Sequence, residues 1–294
     1  MDTLLYWPAR ALIALLQALP LALVARLGRT VGGLVYWLDA RHRRVALSNL
    51  AMCFGNEKSP EEIRDLAREN FRRIGENFAS AVKTAAMTYA ELRPHLEFVN
   101  TERLQPPRRI VVAIGHFGNF ELYARFHHFA PGYQCATTYR ALKHPAFNQL
   151  MQDLRERTDC LYFERRADGP LLRTAMARLD IILGLLADQS TSGLRAPFLG
   201  HDCSTTLAPA VFALRYHCEL TTAFCFRVAP AKWRIEIGEA IPTHENSRPR
   251  DSGDIMHDVN RSFEAAVRRD PANWFWVHRR WKADGTKAKM EDGG

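Results

Sequence analysis

The sequence predicts an α/β protein: a largely parallel central sheet covered by helices on both faces, preceded by an apolar helical segment. Three observations predict it. From residue 110 onward, short apolar runs alternate with amphipathic helical stretches, the pattern of successive βαβ units. The first forty residues hold two stretches free of formal charge, flanked by aromatic side chains. No internal repeat or long linker divides the remainder, so residues 1–40 read as an apolar membrane-association segment and 41–294 as a single α/β domain.

Composition bounds the function. At 294 residues the chain buries a sizeable core, and 47% hydrophobic with 24% charged residues is ordinary for a folded protein. The formal charge of +8, from 40 Lys and Arg against 32 Asp and Glu, favours an anionic partner. Nucleic acid, acidic lipid headgroups and an acidic carrier protein all qualify. Cys53, Cys135, Cys160, Cys203, Cys218 and Cys225 form no CxxC pair and no small-domain framework, and read as reduced, mostly buried thiols of a cytosol-facing protein. Neither they nor the 11 histidines make a zinc pattern, and there is no P-loop or GxGxxG. The expected chemistry uses no metal and no cofactor.

At the N-terminus, residues 11–25 and 30–38 are the uncharged stretches. Arg26 and Arg29 separate them, Pro20 interrupts the first and Gly32-Gly33 opens the second. Neither reaches the ~20 apolar residues that comfortably span a bilayer. Met1-Asp2 gives no basic start and no cleavage site follows, so a signal peptide is not expected. A marginal spanning helix, an interfacial helical hairpin and a buried helix pair remain open. Tyr6, Trp7, Tyr36 and Trp37 at the flanks, with Arg41, Arg43 and Arg44 following, favour membrane association with the rest of the chain on the cytoplasmic side.

Further along, Ser59-Pro60-Glu61-Glu62 reads as a capping box with proline at the first helical position. Ile63, Leu66, Phe71, Ile74 and Phe78 then make a core-facing helical stripe. After Pro106-Pro107 the expected strands are 110–114, 134–139, 161–163, 181–187, 220–228 and 233–237. The expected helices run from 121 (with Leu122, Phe126 and Phe129 on one side), then over 145–157, 170–179, 206–217 and 252–268.

The chemistry centres on Gly115-His116-Phe117-Gly118-Asn119-Phe120-Glu121, directly after the first of these strands. His116 can leave the sheet edge in a turn while Glu121, in the first turn of the next helix, folds back to hold one imidazole nitrogen. The other nitrogen is then free to take a proton from a hydroxyl. On spacing alone His-x4-Glu is weak, because an ordinary hydrogen-bonded histidine looks the same. Its context adds to it: Gly115 and Gly118 permit a sharp turn, Asn119 can donate, and the following helix start offers backbone N–H groups to developing negative charge.

Asp188-Gln189-Ser190 closes the strand 181–187. It can orient a polar substrate, brace the histidine, or simply form an Asx-type turn. His116 and Asp188 both fall at carboxyl ends of strands, where sites gather in parallel sheets. Tyr139-Arg140-x-Leu142-Lys143 and Arg155 supply cations near that edge, for a phosphate or an oxyanion, or as a solvated basic face. Near the C-terminus, Pro271-Ala272-Asn273-Trp274-Phe275-Trp276-Val277-His278-Arg279-Arg280-Trp281-Lys282 interleaves aromatics with cations. That composition suits a membrane interface or single-stranded nucleic acid, and equally a segment docking its aromatics on the core.

In order along nearly the whole chain, these features resemble the lysophospholipid acyltransferase superfamily, and specifically the bacterial lipid A late acyltransferases (lauroyl and myristoyl transferases). The resemblance rests on the apolar N-terminus, Arg43-Arg44-x4-Asn49-Leu50-x2-Cys53-Phe54, His116-x-Gly118-Asn119-x-Glu121, Tyr139-Arg140-x-Leu142-Lys143, Asp188-Gln189 and Trp276-x-His278-Arg279-Arg280-x-Lys282. It implies an acyl thioester on acyl carrier protein as donor and a hydroxyl of a lipid A precursor or similar membrane glycolipid as acceptor. By that resemblance His116 is the general base, Glu121 fixes its tautomer and Arg155 stabilises the tetrahedral oxyanion. Gly118, Asn119, Arg140, Lys143, Asp188 and Gln189 would bind substrate.

The resemblance requires no acyl-enzyme, in keeping with the lack of a Gly-x-Ser-x-Gly elbow. It places the catalytic domain on the cytoplasmic face of the inner membrane, with the bilayer as partner, aromatic ends serving it, and no nucleic acid. Two departures stand out: Phe120 replaces a common tryptophan, and residues 199–206 follow the family's Pro-Phe-Phe-Gly-like segment loosely. A lysophospholipid or another glycolipid as acceptor, and a non-catalytic membrane- or nucleic-acid-binding protein using the basic aromatic tail, are the alternatives.

Overall fold

The computed structural model describes residues 2–104, 108–128, 130–142, 144–156, 158–178, 180–189 and 193–281, with side chains from Tyr6 onward. Pro106, Pro107, Phe129, Lys143, Arg157, Leu179, Ser190 and Lys282, which figure in the expectations above, lie outside the described residues.

Helices α1 (Asp2–Ala18) and α2 (Leu21–Leu38) come first. The break between them falls at Leu19-Pro20, and α2 runs unbroken through Arg26, Arg29 and the glycine pair. The break falls at the expected interruption by Pro20, since proline ends a helix through its missing N–H, whereas the arginines between the uncharged stretches lie within α2. Helix α3 (Ala40–Phe54) starts from Asp39, whose side chain accepts from the His42 N–H. Helix α4 (Pro60–Thr84) carries the expected capping box, Ser59 and Glu62 satisfying each other's backbone N–H. Ile63 and Phe71 face the core, but Phe78 is exposed. The short α5 (Tyr89–Leu92) follows.

The strands are β1 (Leu96–Val99), β2 (Ile110–Ile114), β3 (Gln134–Tyr139), β4 (Leu161–Glu164), β5 (Ile181–Leu186), β6 (Leu194–Phe198), β7 (His201–Thr205), β8 (Glu219–Ala229) and β9 (Lys232–Ile237). Interleaved with them are α6 (Pro145–Arg155), α7 (Gly169–Met176), α8 (Ala208–Tyr216) and, last, α9 (Ser252–Arg269). Among the described residues the main sheet has seven strands in the order β1-β9-β8-β2-β5-β3-β4. Every neighbouring pair is parallel except β8 and β9, which form an antiparallel hairpin. The sheet is thus largely parallel, as its apolar, doubly buried strands imply. Strand β1 and the β6–β7 hairpin were not expected. Both are short and mixed in polarity, and β6 contains Pro197.

Alternation along each strand divides the core in two. Val111, Ala113, Leu183 and Leu185 join Leu50, Phe71, Met176, Val259 and Phe263 on one face. Ile110, Val112, Ile114 and Ile182 join Leu21, Ala25, Leu122, Phe126 and Trp233 on the other. Helices therefore cover both faces, and the carboxyl ends of β2, β3, β4 and β5 remain as one open edge.

Candidate active site

Strand register builds the centre of the site. β2 and β5 pair in parallel with Ile114 opposite Leu186, so the second residue beyond each strand, His116 and Asp188, emerges side by side. Asp188 Oδ1 lies 2.7 Å from His116 Nδ1, and Oδ2 accepts from the His116 backbone N–H at 2.7 Å and from the Trp274 indole N–H at 2.8 Å. Gly115 is required at the crossing, since a Cβ there would stand 2.6 Å from the Phe117 ring and 3.1 Å from Asp188 Oδ2. Gly118 turns the chain at φ +52°, where a Cβ would meet the Cys225 carbonyl oxygen at 2.4 Å.

Asp188 is 1% exposed. Burial pushes its carboxyl up, but the charge of His116 together with hydrogen bonds from His116 and Trp274 outweighs this and holds it below the usual carboxylate range. The carboxylate fixes the imidazole with Nδ1 turned toward it and Nε2 turned outward. Gln189 Nε2 lies 3.3 Å from that Nε2. The rings of Phe120 and Phe275 flank the imidazole, with centroids at 4.8 and 5.8 Å.

The partner expected of Glu121 is therefore corrected. Nδ1 is filled by Asp188 from the adjacent strand, and Glu121 does not bond His116. The segment Phe120–His128 is a 3-10 helix rather than an α-helix, and Glu121 Oε1 points toward Arg155, 3.8 Å from its guanidinium. Arg155 sits at the end of α6 between the rings of Tyr139 and Tyr162, with centroids at 5.1 and 5.2 Å. Its Nε is buried without a hydrogen-bond partner among the described residues. The guanidinium is held by aromatic faces and one distant carboxylate, so its donors stay available.

These groups share a cavity of about 690 Å³. Val112, Ile114, Ile182, Leu186 and Ala223 give it an apolar interior beneath His116, while Arg140, Arg155, Arg165 and Gln189 mark its polar rim. Its size and mixed lining are ordinary for a ligand site. Gly184 adds to the room within. Arg140 is exposed at the rim, with no carboxylate within 4 Å among the described residues. Asn119 is buried beside a second, small cavity of about 20 Å³, and both its side-chain polar atoms lack partners among the described residues. Lys143 lies outside the described residues. Among those described, no group of three or more His, Cys, Asp or Glu side chains is arranged to hold a metal.

Over residues 274–281 the aromatic tail faces inward, which corrects the expectation that it serves the bilayer. Trp276 and Arg280 are fully buried. Arg280 donates to Ser204 O and Thr205 Oγ1 and lies over the Phe198 ring. Asn49 and Asn70, from α3 and α4, donate to the tail's carbonyls at Trp276, His278, Ala272 and Trp274. Three contributors escaped the sequence reading: Trp274 as a donor to Asp188, the tyrosine pair around Arg155, and Arg165. The strand-end positions of His116 and Asp188 were visible signals for their pairing. Nothing in the sequence shows that Trp274 reaches them.

Comparison with known proteins shows the family. The family described as bacterial lipid A biosynthesis acyltransferase matches over residues 1–283. A lipid A biosynthesis palmitoleoyltransferase of Escherichia coli (strain K12) is 25% identical over 292 residues, covering 95% of this chain and 91% of that protein. A lipid A biosynthesis acyltransferase of Shigella flexneri matches to the same extent, 25% over 292 residues. The crystal structure of a 1-acyl-sn-glycerophosphate acyltransferase from Thermotoga maritima aligns at 14% identity and a TM-score of 0.38, covering 86% of this chain and 97% of that one. With a family match over almost its entire length, this chain belongs to the bacterial lipid A biosynthesis acyltransferases and is an acyltransferase.

Proposed function

We propose that the chain moves a fatty acyl group from acyl carrier protein to a hydroxyl of a lipid A precursor or similar glycolipid, at the cytoplasmic face of the inner membrane. The observation that carries this reading is the His116 imidazole, oriented by a buried Asp188 and opening on an apolar cavity of about 690 Å³ with Arg155 on its rim. His116 Nε2 takes the proton of the acceptor hydroxyl as its oxygen attacks the thioester carbonyl carbon. A C–O bond forms, and the oxyanion of the tetrahedral intermediate is met by the Arg155 guanidinium. Collapse breaks the C–S bond, and the departing thiolate recovers the proton from His116. No acyl-enzyme forms.

In this reading Asp188 takes the orienting role, and Glu121 positions Arg155. The acyl chain occupies the apolar interior beneath His116, and Gly118 and Asn119 shape the turn that carries the base. Arg140 and Arg165, side by side at the ends of β3 and β4, receive a phosphate of the incoming substrate. Lys143 and Gln189 contribute to the same rim. The exposed apolar side chains of α1 and α2 hold the enzyme on the membrane.

The test is transfer by purified protein, from acyl carrier protein loaded with a fatty acid to a lipid A precursor, read by mass spectrometry of the lipid. His116→Ala and Asp188→Asn are expected to lose at least ~10³-fold in kcat, by analogy with other His–carboxylate pairs. Glu121→Gln should lose less. A folded His116→Ala variant that transfers at the unmodified rate would overturn the reading.

A further inference from the structure

Helix α2 meets α4 through glycines. A Cβ at Gly28 would stand 2.5 Å from the Gly75 carbonyl oxygen, and one at Gly32 would stand 2.2 Å from that of Phe71. Two helices this close leave little room between them, but beside the seam the surface falls away. Two adjoining cavities of about 540 and 320 Å³ lie there, sharing Gly33, Trp37 and Arg72. At Gly33 a Cβ would reach no nearer than 3.6 Å to Arg72, so the groove is open at this point.

The groove is lined by four arginines. Arg29 is neutralised by Glu69 at 2.9 Å and Glu76 at 3.2 Å. Arg68 pairs with Asp65 and lies over the rings of Trp37 and Tyr36, with its Nε buried and without a hydrogen-bond partner among the described residues. Arg26 and Arg72 have no carboxylate within 4 Å among the described residues. Beside these cations runs an unpartnered apolar face: Leu27, Val31, Leu34 and Leu38 are exposed, and Trp37 is 64% exposed. Cations alone would suit any anion. Cations bordered by exposed leucines and a tryptophan suit an anion attached to hydrocarbon.

We propose that the α2–α4 groove binds the phosphate of an anionic phospholipid, with Arg26 and Arg72 as its ligands and the lipid chains beside the exposed leucines of α2. The inference rests on the membrane association proposed above and adds the headgroup. It also sets the attitude of α2. The helix is 18 residues long and apolar enough by composition to cross a bilayer, yet α4 packed against it carries Glu69, Arg72, Arg73 and Glu76. Crossing would take those charges into hydrocarbon, so α2 lies in the interface with its groove at headgroup depth.

Flotation of the full-length protein on phosphatidylcholine vesicles, with and without phosphatidylglycerol, tests this without reference to activity. The unmodified protein is expected to bind the anionic vesicles more tightly. Arg26→Gln and Arg72→Gln should each weaken that preference about five-fold, the worth of one arginine at an anionic surface. Arg173→Gln, removing an exposed cation of α7 outside the groove, should leave it unchanged. Gly33→Leu fills the groove without removing a charge and should act like the arginine variants.

Several results would overturn the proposal. Equal binding to both vesicle types would leave membrane association standing and remove the headgroup site. Equal losses from Arg173→Gln and Arg72→Gln would reduce the effect to diffuse charge. Saturable binding of inorganic phosphate that Arg26→Gln and Arg72→Gln abolish, with no preference of the unmodified protein for anionic vesicles, would assign the groove to free phosphate. Loss of acyl carrier protein binding in Arg26→Gln and Arg72→Gln, with vesicle binding retained, would assign it to the acidic carrier. Transfer to detergent-dispersed acceptor should be unaffected by either arginine variant, because neither residue lines the catalytic cavity.

Discussion

The N-terminal helices and the segment over 271–281 both mix tryptophan, other large apolar side chains and arginine, yet one turns its tryptophans outward and the other inward. In the C-terminal segment the three indole N–H groups and the Arg280 guanidinium find internal acceptors. The Trp276 indole donates to Pro271 O, that of Trp281 to Phe198 O and that of Trp274 to Asp188, while Arg280 reaches Ser204 O and Thr205 Oγ1. Along α1 and α2, Trp7, Leu12, Leu15, Leu34, Trp37 and Leu38 remain exposed; Arg29 pairs with α4, Arg10 lies 4.0 Å from Asp153 of α6, and Arg26 has no carboxylate within 4 Å among the described residues. Composition gives the same reading for both. What separates them is whether the rest of the chain supplies acceptors for N–H groups that would otherwise be stranded in the interior.

The largest expected effect sets one tryptophan against the other. Trp276→Ala removes a fully buried ring from among Phe54, Trp274 and Trp281 and should cost about 3–5 kcal/mol. Trp37→Ala removes an exposed ring and should stay within about 0.5 kcal/mol. Denaturant unfolding in a fixed detergent compares them directly. Similar costs for both would break the comparison, since they would mean α2 is as much a part of the core as the tail is.

A second, smaller effect distinguishes the tail as part of the site from the tail as mere packing. Asp188 is held below the ordinary carboxylate range, so its contribution to stability is fully present above about pH 4, the ordinary carboxylate pKa. It is lost only as pH falls through the depressed value. Trp274→Phe keeps a ring and removes one of the donors holding the carboxylate down, so the loss on acidification should be smaller and should be complete at a higher pH. Arg280 and Tyr123 are further ionisable groups whose charges reach Asp188, and both remain in the variant. At neutral pH the variant should lose about 1.5–3 kcal/mol, the value of a hydrogen bond to a charged group. Its kcat should fall by roughly ten-fold, or more if the imidazole tilts. An acid unfolding curve parallel to that of the unmodified protein would reduce Trp274 to a packing residue.

The two regions also show what the sequence could reveal. The strands β2 and β5 were legible because doubly buried parallel strands are short, apolar and bounded by turn residues. His116 and Asp188 were each legible as strand-end groups. Their pairing was only one of three readings open for Asp188, because choosing it depends on β2 and β5 lying side by side with Ile114 opposite Leu186, and strand order is a long-range property. Glu121 was nearer in sequence and took the role that Asp188 holds in space. Arg155 was found through resemblance, but its setting between Tyr139 and Tyr162 comes from three separate elements. The buried face of the tail was invisible for the same reason: Asn49 and Asn70, which fasten it, lie some two hundred residues upstream.

The smallest effect on stability belongs to the outward-facing helix, and its value lies in what else moves. Leu34 is exposed on α2 at the edge of the arginine groove. Leu34→Ser should leave the unfolding midpoint of the detergent-dispersed protein where it is, within about 0.5 kcal/mol. On neutral phosphatidylcholine vesicles, binding should weaken about ten-fold, the loss expected when one leucine no longer inserts. The same substitution should weaken binding to anionic vesicles by the same factor, because the leucine contributes through hydrocarbon and the arginines through charge. A substitution that shifts the unfolding midpoint and spares vesicle binding would place Leu34 in a packed interface. The N-terminal helices would then belong with the tail, turned toward the protein rather than toward lipid.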